Sequence, residues 1–257
     1  MQYFVTGGTG FIGRYLIENL LARGGTVHAL VRSQSVGKLA KLAEQLGVNE
    51  QQLVPVVGDL SQPLLGLDQA SIDNLKGNVA HFYHLGAIYD MKADAASQEL
   101  ANVEGTRQAI ALAESIAAGS FELVSSIAAA GLYPGLFRED MFEEATGLNH
   151  PYFKTKHDSE ALVRDHCTIP FNVYRPGFVV GHSKTGEIDK VDGPYYFFKL
   201  IQKARAVFPS WAPLIGIEGG RLNIVPVDYV ADAIDHIAHK EGLEQNCFHL
   251  TTRDAYR

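Results

Sequence analysis

Short apolar runs alternate with amphipathic segments along most of the chain. Runs that are typical of buried parallel strands occupy residues 3–5, 27–31, 53–57, 79–85, 121–124 and 172–174. Between the first two runs, Ile12, Leu16 and Leu20 recur at helical spacing, and Gly24 follows as a stop signal.

Two more amphipathic segments predict helices from about residue 103 to 118 and from about residue 152 to 165. Strands that alternate with helices in this way predict an α/β fold with a doubly wound parallel sheet.

Residues 182–220 have a different character, since they are rich in glycine, proline and aromatic residues. The aromatic residues are Tyr195, Tyr196, Phe197, Phe198, Phe208 and Trp211. Ligands of open α/β sheets lie beyond the carboxyl ends of the strands, so this segment predicts a small C-terminal substrate-covering lobe. A second hydrophobic core explains the same composition.

The whole chain, 1–257, is therefore predicted to be a single domain. Its sheet core spans about 1–180, the lobe about 181–220, and residues 221–257 return to the core. Residues 247–257 close no domain clearly, which predicts that the chain is a fragment of a longer multidomain protein.

Composition narrows the functional classes. The 257 residues carry a formal net charge of −7, with 46% hydrophobic and 20% charged residues, which argues against nucleic acid or an anionic membrane as a partner. No apolar run reaches the ~20 residues that span a bilayer, and the first residues lead directly into a glycine loop. We therefore expect a cytoplasmic protein without stable membrane insertion.

The cysteine, histidine and clustered acidic residues suggest no metal centre. Cys167 and Cys247 lie far apart and are interpreted as reduced thiols. His236 and His239 have no cysteine or carboxylate arrangement that a metal would need, so none is expected. The acidic run of residues 139–144 is interpreted as a solvated loop or helix start.

A glycine-rich loop, residues 6–13 (TGGTGFIG), stands between the first predicted strand and the first predicted helix. Glycines there let the backbone turn and approach a pyrophosphate, which the helix N-terminus then binds. This motif requires a strand before it and a helix after it, and the sequence predicts both. The loop predicts a Rossmann-type dinucleotide site formed by Gly7, Thr9, Gly10, Phe11, Ile12 and Gly13.

The residue after the second predicted strand favours NADPH (NADP+) over NADH. NAD-binding folds usually place an acidic residue there to bind the ribose, whereas this chain has Arg32, which suits a 2′-phosphate. Lys38 adds positive charge nearby. Asp59, after the third strand, either binds the adenine amino group or caps the following segment.

Tyr152 and Lys156 are four residues apart, so they share one face if a helix begins there. An ammonium beside a tyrosine stabilises its phenolate and brings the pKa toward neutral pH, as acid–base catalysis requires. Ser125 and Ser126 follow a predicted strand, where a hydroxyl can bind the same carbonyl oxygen as the tyrosine. Ser126 is the predicted catalytic serine, with Ser125 as the alternative.

The chain resembles the extended short-chain dehydrogenase/reductase superfamily in the order of three motifs: the glycine loop, the serine at a strand end and the Tyr-x-x-x-Lys pair. Residues 84–87 (HLGA), 102–106 (NVEGT), 174–177 (YRPG) and 224–231 (IVPVDYVA) extend the resemblance over nearly the whole chain. Residues 125–131, 137–144 and 191–198 resemble the N-terminal domain of bacterial alcohol-forming fatty acyl-CoA reductases, within the thioester-reductase branch.

This resemblance implies a role for each matching residue. Ser126, Tyr152 and Lys156 would be catalytic, and Asn102 would position backbone or a water near Lys156. The glycine loop, Arg32 and Asp59 would bind the cofactor. Leu85, Gly86, Ala87, Pro176 and Gly177 would lie along it. Gly86 replaces a more usual alanine, and both are small enough for close approach of the cofactor.

The function that the resemblance implies is NADPH-dependent reduction of a fatty acyl thioester (acyl-CoA), a fatty aldehyde, or both, with a second reductase domain in the full-length chain. Coenzyme A or a carrier protein could hold the acyl group. A nucleotide-sugar epimerase is the main alternative. A non-catalytic NADP(H) sensor is another, although such proteins typically lack the Tyr/Lys pair. Fold alone does not decide among these.

Overall fold

The computed structural model describes residues 1–88, 93–188 and 223–252. Seven strands form its main sheet: β1 (Gln2–Thr6), β2 (Thr26–Val31), β3 (Leu53–Val57), β4 (Val79–His84), β5 (Ser120–Val124), β6 (Phe171–Pro176) and β9 (Asn246–Leu250). All neighbours run parallel, in the order β3-β2-β1-β4-β5-β6-β9. The strand order reverses direction between β1 and β4, and the crevice at such a switch point is where open α/β sheets bind ligands.

Helices cover both faces of this sheet. They are α1 (Phe11–Ala22), α2 (Val36–Leu46), α3 (Gln69–Leu75), α4 (Ala95–Gln98), α5 (Gly105–Ser115), α6 (Pro151–His166) and α7 (Val227–Ala238). Leu16, Leu20 and Ile234 pack into the core on one face, and Ile110 and Val163 into the core on the other. The predicted α/β, doubly wound parallel sheet is confirmed.

Local sequence explains where the predicted helices begin and end. Helix α1 ends at Ala22, and Gly24 follows with φ of +77°, a conformation that glycine adopts without strain. Helix α6 begins with Pro151 at its first position, and the Nδ1 of His150 accepts a hydrogen bond from the Tyr152 amide at 3.2 Å. Tyr152 and Lys156 therefore do lie in the first turns of a helix.

The helix predicted from about residue 103 begins earlier. Asp94 caps α4 by accepting from the Ser97 amide at 2.8 Å, and a π-helical turn (Glu99–Glu104) connects α4 to α5. Single π turns inside α-helices are frequent at functional sites. The residues before 103 lack an apolar stripe, which is why the apolar period alone missed this start.

A second, two-stranded sheet pairs β7 (Phe178–Val180) with β8 (Ile224–Pro226) in parallel. The sequence did not predict these short strands. The aromatic residues that the sequence assigns to the lobe, 195–198, 208 and 211, lie outside the described residues. Among the helices that are described, none is long and apolar enough to cross a bilayer.

Candidate active site

The glycine loop joins β1 to α1 at the carboxyl edge of the sheet. Gly7 has φ of +72°, and a Cβ there would meet the Gly86 amide nitrogen at 2.7 Å. A Cβ on Gly13 would lie 2.3 Å from the Gly7 carbonyl oxygen, so the missing side chain lets helix and loop pack closely. These contacts place the loop directly against the end of β4.

The N-terminus of α1 fits a phosphate. Gly10 is its N-cap without a side-chain hydrogen bond, and the first turn, which holds Phe11, Ile12 and Gly13, has no acidic residue. A Cβ on Gly10 would meet only the Gly7 carbonyl oxygen, at 3.1 Å, so that side is otherwise open. First-turn N–H groups and the helix dipole favour an anion in such a cradle. The residues present therefore fit the pyrophosphate of a dinucleotide.

Arg32 and Asp59 lie at the ends of β2 and β3. Arg32 follows β2 directly and is exposed, as is Lys38 on α2. Asp59 Oδ1 accepts from the Ser61 amide at 2.9 Å and from the Ser61 hydroxyl at 2.7 Å. These bonds, and to a smaller extent the Arg32 charge, hold the pKa of Asp59 below its usual range. These two bonds are those of a residue that caps the following segment, and contact between Asp59 and adenine stays a prediction.

The segment after β4 is held by β1. The Leu85 amide donates to the Thr6 carbonyl at 3.2 Å, and the Gly86 amide donates to the Thr6 hydroxyl at 3.0 Å. A Cβ on Gly86 would lie 2.8 Å from Leu60 Cδ1 and 3.0 Å from the Thr6 hydroxyl. Glycine and alanine are therefore not freely interchangeable here, because an alanine requires Leu60 to shift. The side chains of Leu60 and Thr6 therefore limit the size of the residue at position 86.

Asn102, in the π turn, connects this segment to α6. Its amide nitrogen donates to the Ile88 carbonyl at 3.0 Å and to the Thr155 hydroxyl at 3.1 Å, and its oxygen accepts from the Ile88 amide at 2.7 Å. Gly86, Ala87, Asn102 and Lys156 also line one cavity of about 10 Å³, close to the size of a water site. The structure thus brings the expected cofactor-side residues and Lys156 together.

Tyr152 and Ser126 lie side by side, and their predicted binding of one carbonyl oxygen stays a prediction. Ser126 follows β5 and accepts from the Ala128 amide at 3.1 Å, and its hydroxyl is the polar neighbour that lowers the pKa of Tyr152. Burial raises the pKa of Tyr152, and the neighbouring Ser126 hydroxyl opposes this only in part. The direction is opposite to the one expected from an ammonium nearby, because loss of water around the phenol outweighs its polar contacts. The phenol is consequently protonated at neutral pH.

Lys156 lies one helical turn further along α6 and is only 7% exposed. Its Nζ donates to the Val124 carbonyl at 3.4 Å. Burial lowers the pKa of Lys156 to about 8, and the Glu160 charge counteracts part of that shift. The ammonium therefore loses its proton within a pH range that an enzyme assay reaches.

Ser125 has a different environment from Ser126. It is buried, and its hydroxyl donates to Glu160 Oε2 at 3.1 Å. Glu160 also accepts from Arg175 at 2.6 and 3.0 Å and from Arg164 at 2.7 and 2.9 Å. Ser125 belongs to this buried ionic network, which leaves Ser126 as the serine that reaches the tyrosine.

Arg175 in turn anchors the segment between Ser126 and Tyr152. Its guanidinium donates to the Arg138 carbonyl at 3.4 Å and to the Met141 carbonyl at 3.0 Å. The acidic run lies in this segment as an exposed loop, as expected, although Glu139 also accepts from the His249 amide at 2.6 Å.

Pro176 ends β6 and Gly177 follows it, with the Gly177 amide donating to the Leu250 carbonyl at 3.0 Å. A Cβ on Gly177 would lie 2.7 Å from the Asn223 carbonyl oxygen, so the chain passes tightly between two later segments. In the described ranges, no group of three or more His, Cys, Asp or Glu side chains could hold a metal ion.

The sequence assigned no role to several polar residues around this site. They are Thr6, His84, Thr106, Glu160 and Arg175, all buried. The available signal was a charged or polar residue within an apolar strand or on the inward face of a helix, because such residues are buried only with partners.

Comparisons with known proteins agree with this geometry. The family model described as "Male sterility protein" matches residues 5–234. The chain is 30% identical over 272 residues to the non-canonical nonribosomal peptide synthetase FrzA of a Cladobotryum species, covering 97% of this chain and 26% of that protein. It is 30% identical over 271 residues to the aldehyde reductase lnbA of Aspergillus flavus, covering 97% of this chain and 26% of that protein.

Among solved structures, the terminal R domain from the myxalamid PKS-NRPS biosynthetic pathway superposes with a TM-score of 0.84 at 30% identity. This match covers 100% of the present chain and 67% of that one. The chain spans about a quarter, or less, of the length of the curated relatives it matches.

Proposed function

This chain belongs to the male sterility protein family, whose model spans residues 5–234, and on that premise we propose that it is an NADPH-dependent reductase. Its proposed substrate is a fatty acyl thioester, a fatty aldehyde, or each in turn. Reduction with a nicotinamide cofactor is supported by the family and by relatives that include an aldehyde reductase. NADPH as the donor and a fatty acyl chain on the substrate are the finer parts of the proposal.

The observation that carries the proposal is the convergence of three side chains at the sheet edge. The Ser126 hydroxyl is close enough to Tyr152 to lower its pKa, and Lys156 lies buried one turn further along the same helix. Lys156 shares a cavity with Gly86 and Ala87, which lie beside the glycine loop. Proton-handling groups thus lie next to a dinucleotide cradle.

Each catalytic residue has a distinct part in the proposed reaction. The cofactor supplies the hydride when bound. A carbonyl oxygen placed between Ser126 and Tyr152 accepts a hydrogen bond from each. Tyr152, protonated at neutral pH, gives its proton to that oxygen as the carbon is reduced. The Lys156 ammonium stabilises the phenolate that remains.

The products follow from the substrate. A thioester takes up hydride and proton to give a hemithioacetal, which expels the thiol and leaves an aldehyde. Reduction of the aldehyde at the same residues gives the alcohol. Coenzyme A and a carrier protein both present the acyl group as a thioester, so either fits this chemistry.

NADPH is the proposed donor because Arg32 stands at the end of β2, where a carboxylate would serve NADH. A guanidinium at this position binds a 2′-phosphate through charge-assisted hydrogen bonds. Asp59 Oδ1 is already bonded to Ser61, so adenine recognition by this residue falls to its other oxygen.

We further propose that residues 1–257 form one cofactor-binding domain, with a substrate-covering lobe at about 181–220. The much greater length of the curated relatives supports further domains in the full-length chain. That one of them is a second reductase domain stays a prediction. The cytoplasmic location remains a prediction.

The test measures NADPH oxidation as the decrease in NADPH absorbance. Three substrates are assayed separately: a long-chain acyl-CoA, the matching acyl-carrier thioester and the matching aldehyde. NADH is run in parallel. Tyr152→Phe should lower turnover of whichever substrate reacts by a factor of about 10² to 10⁴. Tyr229→Phe, a tyrosine that is 48% exposed on α7, is the matched control. Tight NADPH binding without turnover of any substrate would instead favour the epimerase or sensor alternative.

A further inference from the structure

His84, the last residue of β4, is 2% exposed and has no part in the mechanism above. Both ring nitrogens have partners. Nδ1 lies 2.8 Å from the Thr6 hydroxyl oxygen, and Nε2 lies 3.1 Å from the Thr106 hydroxyl oxygen. A buried histidine with two hydroxyl partners is held in one orientation, so its protonation state follows from the partners.

The two hydroxyl groups fix the positions of the protons. Thr106 has a single hydroxyl proton and donates it to the Asn102 carbonyl at 2.6 Å. Its oxygen must therefore accept from Nε2–H of His84. The Thr6 oxygen accepts from the Gly86 amide, and its own proton goes to Nδ1. His84 is consequently neutral with the proton on Nε2.

The electrostatic surroundings favour the same state. Burial, with a smaller contribution from the Lys156 charge, lowers the pKa of His84 to about 3. A second proton on the ring would also leave the Thr6 hydroxyl proton without its acceptor inside the protein, which is costly.

The chain of hydrogen bonds has functional groups at both ends. One end is the Gly86 amide, in the segment against the glycine loop. The other end is Asn102, whose side chain holds both main-chain groups of Ile88 and the hydroxyl of Thr155, the residue before Lys156. Residues 84–88 are therefore linked to the start of α6 twice: directly by the Asn102 side chain, and from the His84 imidazole through Thr106 to the main chain of Asn102.

We propose that His84 is a positioning residue that sets the cofactor-side segment, residues 85–88, in register with the Lys156-bearing helix. Its Nδ1 acceptor holds the Thr6–Gly86 arm, and its Nε2–H donor holds the Thr106–Asn102 arm. The kinetic part of this proposal and the choice of NADPH as ligand rest on the proposed reductase function, whereas the tautomer and the loss of dinucleotide affinity do not.

Two substitutions separate the arms. In His84→Asn, the side-chain oxygen stands near the position of Nδ1 and keeps the Thr6 arm, while the donor to Thr106 is lost. In His84→Gln, the terminal amide nitrogen stands near Nε2 and keeps the Thr106 arm, while the acceptor for Thr6 is lost. His81→Gln removes another histidine from the same strand, one that bonds to Ser120 instead, and serves as the control.

We expect His84→Gln to weaken NADPH binding about tenfold, and His84→Asn to lower kcat about tenfold while the dissociation constant of NADPH stays within about threefold. His81→Gln should leave both quantities near the wild-type values. Equal losses in both parameters for the two His84 variants, or wild-type values in both, would overturn the proposal.

A measurement on the wild-type chain decides the matter even when a variant does not fold. In ¹⁵N-histidine NMR, His84 should show the Nε2–H tautomer and no titration between about pH 5 and 8. A charged ring or an Nδ1–H tautomer refutes the hydrogen-bond chain. A wild-type chain that reduces none of the substrates but shows the expected tautomer, and the binding loss in His84→Gln, would count against the proposed function alone.

Discussion

Replacing Glu160 by glutamine should destabilise the protein by about 3 to 5 kcal/mol, the usual cost of removing one partner from a buried ion pair. Glu160 and Arg175 both have side chains that are 0% exposed, and Arg164 adds a second cation to the same carboxylate. The amide keeps one acceptor oxygen, but the buried guanidinium of Arg175 loses the negative charge that compensates it. The lost stability therefore comes from the missing negative charge more than from any change in side-chain shape.

Urea unfolding at neutral pH measures this loss, and Glu104→Gln is the matched control. The Glu104 carboxylate pairs with Arg107 on the surface, with side-chain exposures of 39% and 52%, so its replacement should cost less than about 1 kcal/mol. A Glu160→Gln variant that is as stable as the control would refute the assignment of this network as a charge-compensated core.

The pH dependence provides a second check. Burial by itself would raise the pKa of Glu160, but the hydrogen bonds and charges of Arg175 and Arg164 outweigh it and the pKa is lowered. The stability from this group is therefore fully present above the ordinary carboxyl pKa of about 4.3 and is lost as pH falls through the lower, folded-state value. The difference between wild type and Glu160→Gln should narrow on acidification. A difference that grows at low pH contradicts the sign.

Three further predictions concern activity. Ser126→Ala should lower kcat by a factor of about 10² to 10³ in steady-state kinetics. Ser125→Ala should lower kcat by less than about tenfold, because it removes only one hydrogen-bond donor to the Glu160 carboxylate, which keeps both arginine partners. Because the pKa of Lys156 is lowered to about 8, a rate that depends on the ammonium should fall as pH rises through that value, and Lys154→Met, on the exposed side of α6, should leave the pH profile unchanged. Arg32→Ser should raise KM for NADPH by about tenfold or more and leave KM for NADH nearly constant; equal changes for both cofactors would rule out contact with a 2′-phosphate.

Local sequence signals predicted the elements that position the site. Apolar runs marked six of the seven strands of the main sheet, and an amphipathic segment from about residue 152 marked the start of α6. The glycine loop was predictable because its local backbone needs glycine: Gly7 has a positive φ, and Gly13 packs against Gly7 six residues earlier. Such signals depend on neighbours along the chain, so the sequence displays them directly.

The polar network beneath the site depends on partners that are distant in sequence. Ser125 meets Glu160 across 35 positions, and Thr6 meets His84 across 78. Neither hydrophobic period nor spacing encodes such pairs. The direction of the Tyr152 pKa shift was missed for the same reason, because it depends on how much water the folded protein excludes from the phenol.

The anchoring of the 138–141 segment by Arg175 has a consequence for the order in which the protein folds. Residues 127–150 are synthesised before the arginine that holds their carbonyl groups, and Arg175 is itself buried only when β6 joins the sheet. During translation, therefore, residues 127–150 lack their hydrogen bonds to Arg175 until β6 pairs with β5. Protection of this segment's amides in pulsed hydrogen exchange should accordingly appear together with that of β6 and not before it.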